Sequence, residues 1–229
     1  MSLFQTAHAP CPACGVVTDF EMVHSVNADR RPDLRDAILD RSFQRTTCES
    51  CGESFRMEPA FSYLHMAANQ HLTVWPAAQI DQWATAEKRA DDAFLALYGS
   101  GATPIGQQIG ATLTRRTVFG WEAAHEKILA AEAGIDDVTL ELAKLAIRRF
   151  ADDEGPGADN NLRLLAATAG GNLVFGVFTI EREQLIEQIT VPRDLLAEID
   201  ADPEAWATAR ARLCEGSFVD LQRLILEPA

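Results

Sequence analysis

Two short motifs, Cys11-Pro12-Ala13-Cys14-Gly15 and Cys48-Glu49-Ser50-Cys51-Gly52, restrict this chain more than any other feature. A C-x-x-C pair followed by Gly spans a tight turn whose backbone amides can point at the sulfurs. The Gly permits the positive φ that lets the chain double back, and Pro12 pre-sets φ in the first turn. Two such knuckles supply four soft thiolates, a set suited to tetrahedral zinc at about 2.3 Å per Zn–S bond. Cys11, Cys14, Cys48 and Cys51 are therefore expected as metal ligands. A four-thiolate site has no open coordination position, so the Zn2+ should be structural and its binding energy part of the folding energy. Rival readings are four unliganded thiols, a redox C-x-x-C pair, and a site in which His8, three residues before Cys11, replaces one thiolate.

The 33 residues between Cys14 and Cys48 exceed the spacing of a simple ribbon, roughly 15–20 residues. They carry structure of their own. Val16 to Val26 is rich in β-branched and aromatic residues and predicts a strand. Pro32 to Leu39 predicts a short helix, with Pro in the first turn and Leu34, Ala37 and Ile38 on one face. Phe43 to Thr47 leads back as a strand into the second knuckle. The insert is a folded excursion between two ribbon strands.

These residues together resemble the CpXC family, named for its two cysteine motifs. The likeness rests on both C-x-x-C-G motifs, on Ser25-Val26-Asn27-Ala28-Asp29 and on Pro32-Asp33-Leu34-Arg35. It continues through Val118-Phe119-Gly120-Trp121, Glu126-Lys127-Ile128, Ala133-Gly134-Ile135-Asp136-Asp137 and Glu141 to Lys144. It covers roughly the first 150 residues. Glu49 stands where the family name leads one to expect a second Pro, which bears on the stiffness of that turn rather than on its ligands. The resemblance implies a bacterial-type zinc-binding fold and names no reaction.

Downstream, Phe61 to Trp75 predicts a hairpin around Ala67-Ala68-Asn69-Gln70, and Ile80 to Tyr98 a helix stopped by Gly99. Thr103-Pro104 reads as an N-cap and first helical position of a short helix running to Leu113. Helices follow over Trp121 to Ala133 and from Asp136-Asp137 to Arg148-Arg149. The polar segment Asp152 to Asn160 is the clearest internal boundary. Leu162 to Thr168 and Leu173 to Thr179 flank Gly170-Gly171 as a hairpin, Leu185 to Val191 adds a third strand, and Pro192 and Pro203 open two further helices. The expected class is α+β: an N-terminal zinc ribbon with an inserted helix, a helical middle, and a C-terminal sheet plus helices. The corresponding segments are 1–78, 79–152 and 153–229, which can pack as one domain.

Charge narrows the function. Asp plus Glu number 34 against 20 Lys plus Arg, a net charge of −14, which opposes general binding to a phosphate backbone. No apolar run approaches the ~18 residues of a membrane span. The opening residues lack a basic start followed by an apolar stretch, so the expected location is cytoplasmic. Asp136, Asp137 and Glu141 could form a second cation site, although acids at a helix start cap free amides and favour the dipole. His125-Glu126 lacks the second His of a zinc-protease helix, since residue 129 is Leu. His65 and His71 read as polar residues about a turn, and Cys214 as a small buried apolar residue. No catalytic motif is recognisable. The preferred function is a structural zinc protein with a protein partner. An alternative is a hydrolase or transferase in the cleft between ribbon and helices, using Asp136, Asp137, Glu141 and His125. A third reading, a nucleic-acid-binding ribbon, needs a basic stripe through Arg30, Arg31, Arg35 and Arg45.

Overall fold

The computed structural model describes residues 2–150, 160–180 and 183–226. Its first sheet begins with a long antiparallel hairpin, β1 (Leu3–Pro10) and β2 (Val17–Asn27), which turns at the first knuckle. A crossover follows, because the next strand of this sheet, β5 (Phe61–His65), runs parallel to β2. Parallel neighbours need a connection of a dozen or more residues. Here it contains helix α1 (Pro32–Leu39) and a small antiparallel hairpin, β3 (Arg45–Thr47) and β4 (Ser54–Arg56), which turns at the second knuckle. The long gap between the cysteine pairs thus holds β2 and the start of that crossover. Pro32 opens α1, and Leu34 and Ile38 pack into the core with Val23, Val26 and Tyr63.

β6 (Gln70–Trp75) closes a hairpin with β5, and β7 (Thr114–Phe119) adds in parallel to give the order β1-β2-β5-β6-β7. The second crossover carries α2 (Trp83–Tyr98) and α3 (Pro104–Thr112). Thr103 caps α3 by accepting the Gly106 amide at 3.2 Å, as its sequence position suggests. Helices α4 (Trp121–Glu132) and α5 (Asp137–Phe150) lead to an antiparallel sheet of β8 (Asn160–Ala167), β9 (Asn172–Thr179) and β10 (Leu185–Pro192), in the order β10-β9-β8. Helices α6 (Asp194–Ala201) and α7 (Ala207–Leu213) and a 3-10 turn at Leu221–Leu224 follow.

Three details depart from the sequence reading. Leu3–Pro10 is a strand; as an edge strand it buries little, so its pattern carries weak periodicity. Thr114–Phe119 is also a strand, hidden by Arg115 and Arg116 at its start. The helix expected from Ile80 begins as a 3-10 turn at Ala77–Gln82 and becomes α-helical at Trp83. The boundary segment Asp152 to Asn160 lies outside the described residues apart from Asn160, which opens β8.

Helix α4 determines how the two larger sheets meet. Trp121, Ala124 and Ile128 share an apolar cluster with Leu72, Val74 and Val118 of the first sheet. Ala130, with Leu129 and Ala133 beside it, packs against Leu162, Leu164 and Phe175 of the other. A helix covered on both sides has little solvated face, so Glu126 and Lys127 are buried with their charges. A buried charge needs a partner. Lys144 Nζ donates to Glu126 Oε1 at 2.6 Å and to Glu141 Oε1 at 2.9 Å. Lys127 Nζ lies 3.0 Å from Glu141 Oε1 and 3.1 Å from Asp137 Oδ2, and Arg116 also holds Asp137. Arg163 of β8 bridges Glu126 at 3.1 Å and Asp220 at 2.5 Å.

Four cations (Arg116, Lys127, Lys144, Arg163) thereby face four carboxylates (Glu126, Asp137, Glu141, Asp220). Backbone amides add to the cluster: Leu164 N donates to Glu126 Oε2 and Leu221 N to Glu141 Oε2. Burial raises the proton affinity of Glu126, but Lys144 and Arg163 outweigh it and hold the group below its ordinary value. Burial disfavours the charge on Lys127, yet Asp137 and Glu141 keep it firmly protonated. Removing one member leaves an uncompensated charge, so Lys144→Met should lower unfolding stability by about 3–5 kcal/mol in denaturant titration. Lys88→Met, which breaks the exposed pair with Asp92, should leave stability nearly unchanged.

Candidate metal centre

Each knuckle is built the same way. In the first, Gly15 N donates to Cys11 O at 2.9 Å and Cys11 N to Val16 O at 2.9 Å, with Gly15 at φ +73°. In the second, Gly52 N donates to Cys48 O at 2.8 Å and Cys48 N to Glu53 O at 2.8 Å, with Gly52 at φ +74°. The left-handed backbone at both glycines is what their sequence position requires. The first cysteine of each pair is buried and the second is exposed.

The knuckles belong to different hairpins, and side chains hold those hairpins in place. Phe20 of β2 meets Phe55 of β4 edge to face, with ring centres 5.4 Å apart. Gln44 accepts the Val23 amide at 3.1 Å and donates to Glu21 O at 3.2 Å, tying the β3–β4 hairpin to β2. Trp121 at the start of α4 packs on Phe43 and Phe61, and its Nε1 donates to Met57 O at 2.9 Å.

The four Sγ atoms of Cys11, Cys14, Cys48 and Cys51 lie within 4.8 Å of one another. Cys11–Cys51 and Cys14–Cys48 are each separated by 3.8 Å. A disulfide would require about 2.05 Å, whereas a tetrahedron with bonds of about 2.3 Å has sulfur–sulfur edges of about 3.8 Å. The sulfur set fits a tetrahedral ion. Amides of Cys51 and Ser50 draw the Cys48 thiol down to about 7. The Glu53 amide acts on Cys51 in the same direction, but shared hydrogen bonds with Cys14, Cys48 and Cys11 push that thiol up to about 12.

The other candidates are engaged elsewhere. His8 Nδ1 pairs with Asp19 Oδ1 at 2.5 Å, its cross-strand neighbour. Asp136 caps α5 by accepting the Thr139 amide at 2.8 Å, while Asp137 and Glu141 belong to the ion cluster. Among the described residues, the four cysteines are the one group of three or more potential ligands brought this close. Asp136 and Asp137 do line a cavity of about 220 Å3, with Asp137 locked between Arg116 and Lys127. His125 is buried and does not line it. Cys214, expected inside, is exposed: it sits at the C-cap of α7, one residue past the buried Leu213, where the chain turns out of the core. Of the arginines, Arg31 pairs with Asp33, Arg35 with Asp36 and Glu132, and Arg45 Nε donates to Arg41 O.

Sequence reasoning missed the buried charges. Glu126, Lys127, Glu141 and Lys144 are spaced like solvated helix residues, and only a second sheet over α4 reveals their burial. His71 lies beside the hairpin turn, as expected, but is buried against Phe94 and Tyr98 rather than exposed.

A pair of hairpin knuckles with converging sulfurs defines a zinc-ribbon-like, four-cysteine protein. The model of the CpXC protein family matches residues 9–144, more than half of the chain, and the chain belongs to that family. Comparison with curated proteins and with solved structures finds no match. No described helix is long and apolar enough to cross a membrane.

Burial lowers His71 from 6.5 to about 4, so the folded protein binds fewer protons than the unfolded chain between those values. Stability is therefore greatest above pH 6.5 and falls as pH drops toward 4, by about 3 kcal/mol for this group alone. Urea titrations across this range should show the loss, and His71→Gln should flatten it. An equal slope in the variant would contradict the assignment to His71.

Proposed function

We propose that Cys11, Cys14, Cys48 and Cys51 bind one structural Zn2+ and that the ribbon it closes is a docking element for a protein partner. The observation carrying the metal reading is the 3.8 Å spacing between sulfurs of different knuckles. Four thiolates fill a tetrahedral ion and leave no position for substrate, which supports a structural role. Such thiols persist in a reducing compartment, which supports a cytoplasmic location.

The partner reading is supported by apolar residues at the ribbon tip. Val16 and Val17, at the turn end of the β1–β2 hairpin beside the first knuckle, are 44% and 64% exposed. Metal closure would fix their position relative to the second knuckle. The hydrolase or transferase reading loses Asp137 and Glu141 to ion pairing and Asp136 to capping. The nucleic-acid reading loses Arg31 and Arg35 to neighbouring acids. We also read the three sequence segments as one domain, a view supported by the ion cluster joining α4 and α5 to β8 and Asp220.

Cys48→Ser should abolish stoichiometric zinc and make the ribbon protease-sensitive; unchanged metal content would contradict the ligand set. For the partner, the native chain should capture a protein in affinity purification that the Val16→Asp/Val17→Asp variant, still loaded with zinc, fails to capture. Retention of that protein by the double variant would overturn the docking face.

A further inference from the structure

A second site lies where the β3–β4 hairpin meets the start of α4. A cavity of about 250 Å3 opens there, lined by Arg45, Arg56, Glu58, Trp121, Glu122 and Glu183 together with Ala77. Arg45 and Arg56 are directly opposed cross-strand partners, an arrangement in which like charges repel. Arg45 Nε is occupied by Arg41 O at 2.8 Å, and Arg56 Nε by Phe43 O at 2.9 Å. Among the described residues neither guanidinium has an acidic partner within ion-pair distance; Arg56, half-buried, feels Glu122 and Glu183 only at longer range. Arg56 is also stacked on the Trp121 ring, 4.2 Å from its centre, which fixes its plane.

The other wall carries the opposite charge. Glu183 receives the Trp121 amide at 2.9 Å and the Glu122 amide at 3.0 Å. Burial pushes Glu183 up to about 7, and the nearby Glu58 carboxylate adds to the effect. Glu58 is likewise raised by burial. Glu122 is already neutralised by Arg41 at 2.9 Å. Two arginines and two carboxyl groups therefore border one small space, with Arg56 already offset in part by Glu122 and Glu183 across it, and a ligand carrying both charges adds a direct partner to each wall.

We propose that this cavity binds a small zwitterion of the α-amino-acid class, its carboxylate between Arg45 and Arg56 and its ammonium against Glu58 and Glu183. A simple anion would face two carboxylates without compensation. A metal cation would find no third close ligand among the described residues. The volume lies below the roughly 300–1,000 Å3 of sites for drug-sized ligands, which suits a single amino acid. Trp121 and Ala77 provide the apolar surface for its side chain. This site is separate from the cysteine cluster and does not depend on it for ligands.

The test is calorimetric titration of the full chain, loaded with zinc, using each of the twenty proteinogenic L-amino acids. At least one should bind, and its N-acetyl and carboxamide derivatives should each bind about tenfold or more weakly, since each removes one charge. Arg45→Gln and Glu58→Gln should each weaken binding by a similar factor while zinc content and circular dichroism stay as in the unaltered protein. Arg45 is exposed, so its replacement tests the site even if Arg56→Gln disrupts packing on Trp121. Failure of every amino acid to bind at millimolar concentration would overturn the proposal. So would equal affinity for acetate or for the blocked derivatives, or undiminished binding by the Arg45 and Glu58 variants.

Discussion

Four sulfurs meeting across two hairpins are the constraint on which the N-terminal half depends. One knuckle ends a hairpin of the five-stranded sheet; the other ends a small ribbon that is not hydrogen-bonded into that sheet. A two-stranded hairpin of three-residue strands has little stability alone. Its position comes from Phe55 on Phe20, from Gln44 on β2, and from the sulfur cluster at its tip. Of these, ligation of four thiolates by one ion is the strongest candidate, because metal binding contributes on the scale of whole-domain stability.

The second constraint is topological. Both strand pairings that run parallel demand crossovers, and the chain uses each crossover to place something useful. The first carries α1 and the second knuckle; the second carries α2 and α3. Helix α4 then lies between two sheets and has to bury charge. The resulting four-against-four ion cluster specifies how β8 and Asp220 attach to a helix inside the family-matched region. The presence of such a cluster says little about net stability, since apolar replacements of similar shape can serve as well.

Sequence legibility followed the reach of the signal. The knuckles were readable because Cys, Cys and Gly at fixed spacing describe a turn completely. Pro32, the Thr103-Pro104 pair and Gly170-Gly171 marked their elements for the same local reason. β7 was not readable, because a strand with two arginines in its first half is recognised only when its partner β6 is known. Nor were the fates of Glu126, Lys144 and Glu141, which depend on Arg163 and Leu221 far along the chain. Cys214 misled because α7 is short and its apolar face ends at Leu213. Arg45 was legible only as part of a basic stripe and Glu58 not at all, because their cavity is completed by Trp121 and Glu183, distant in sequence.

The central claim concerns coordination, and X-ray absorption at the zinc edge, together with metal analysis of the purified chain, addresses it most directly. The account requires one zinc per chain with a shell of four sulfurs at about 2.3 Å and no nitrogen or oxygen neighbour. A metal-free folded protein, or a shell in which imidazole or water replaces sulfur, would contradict it.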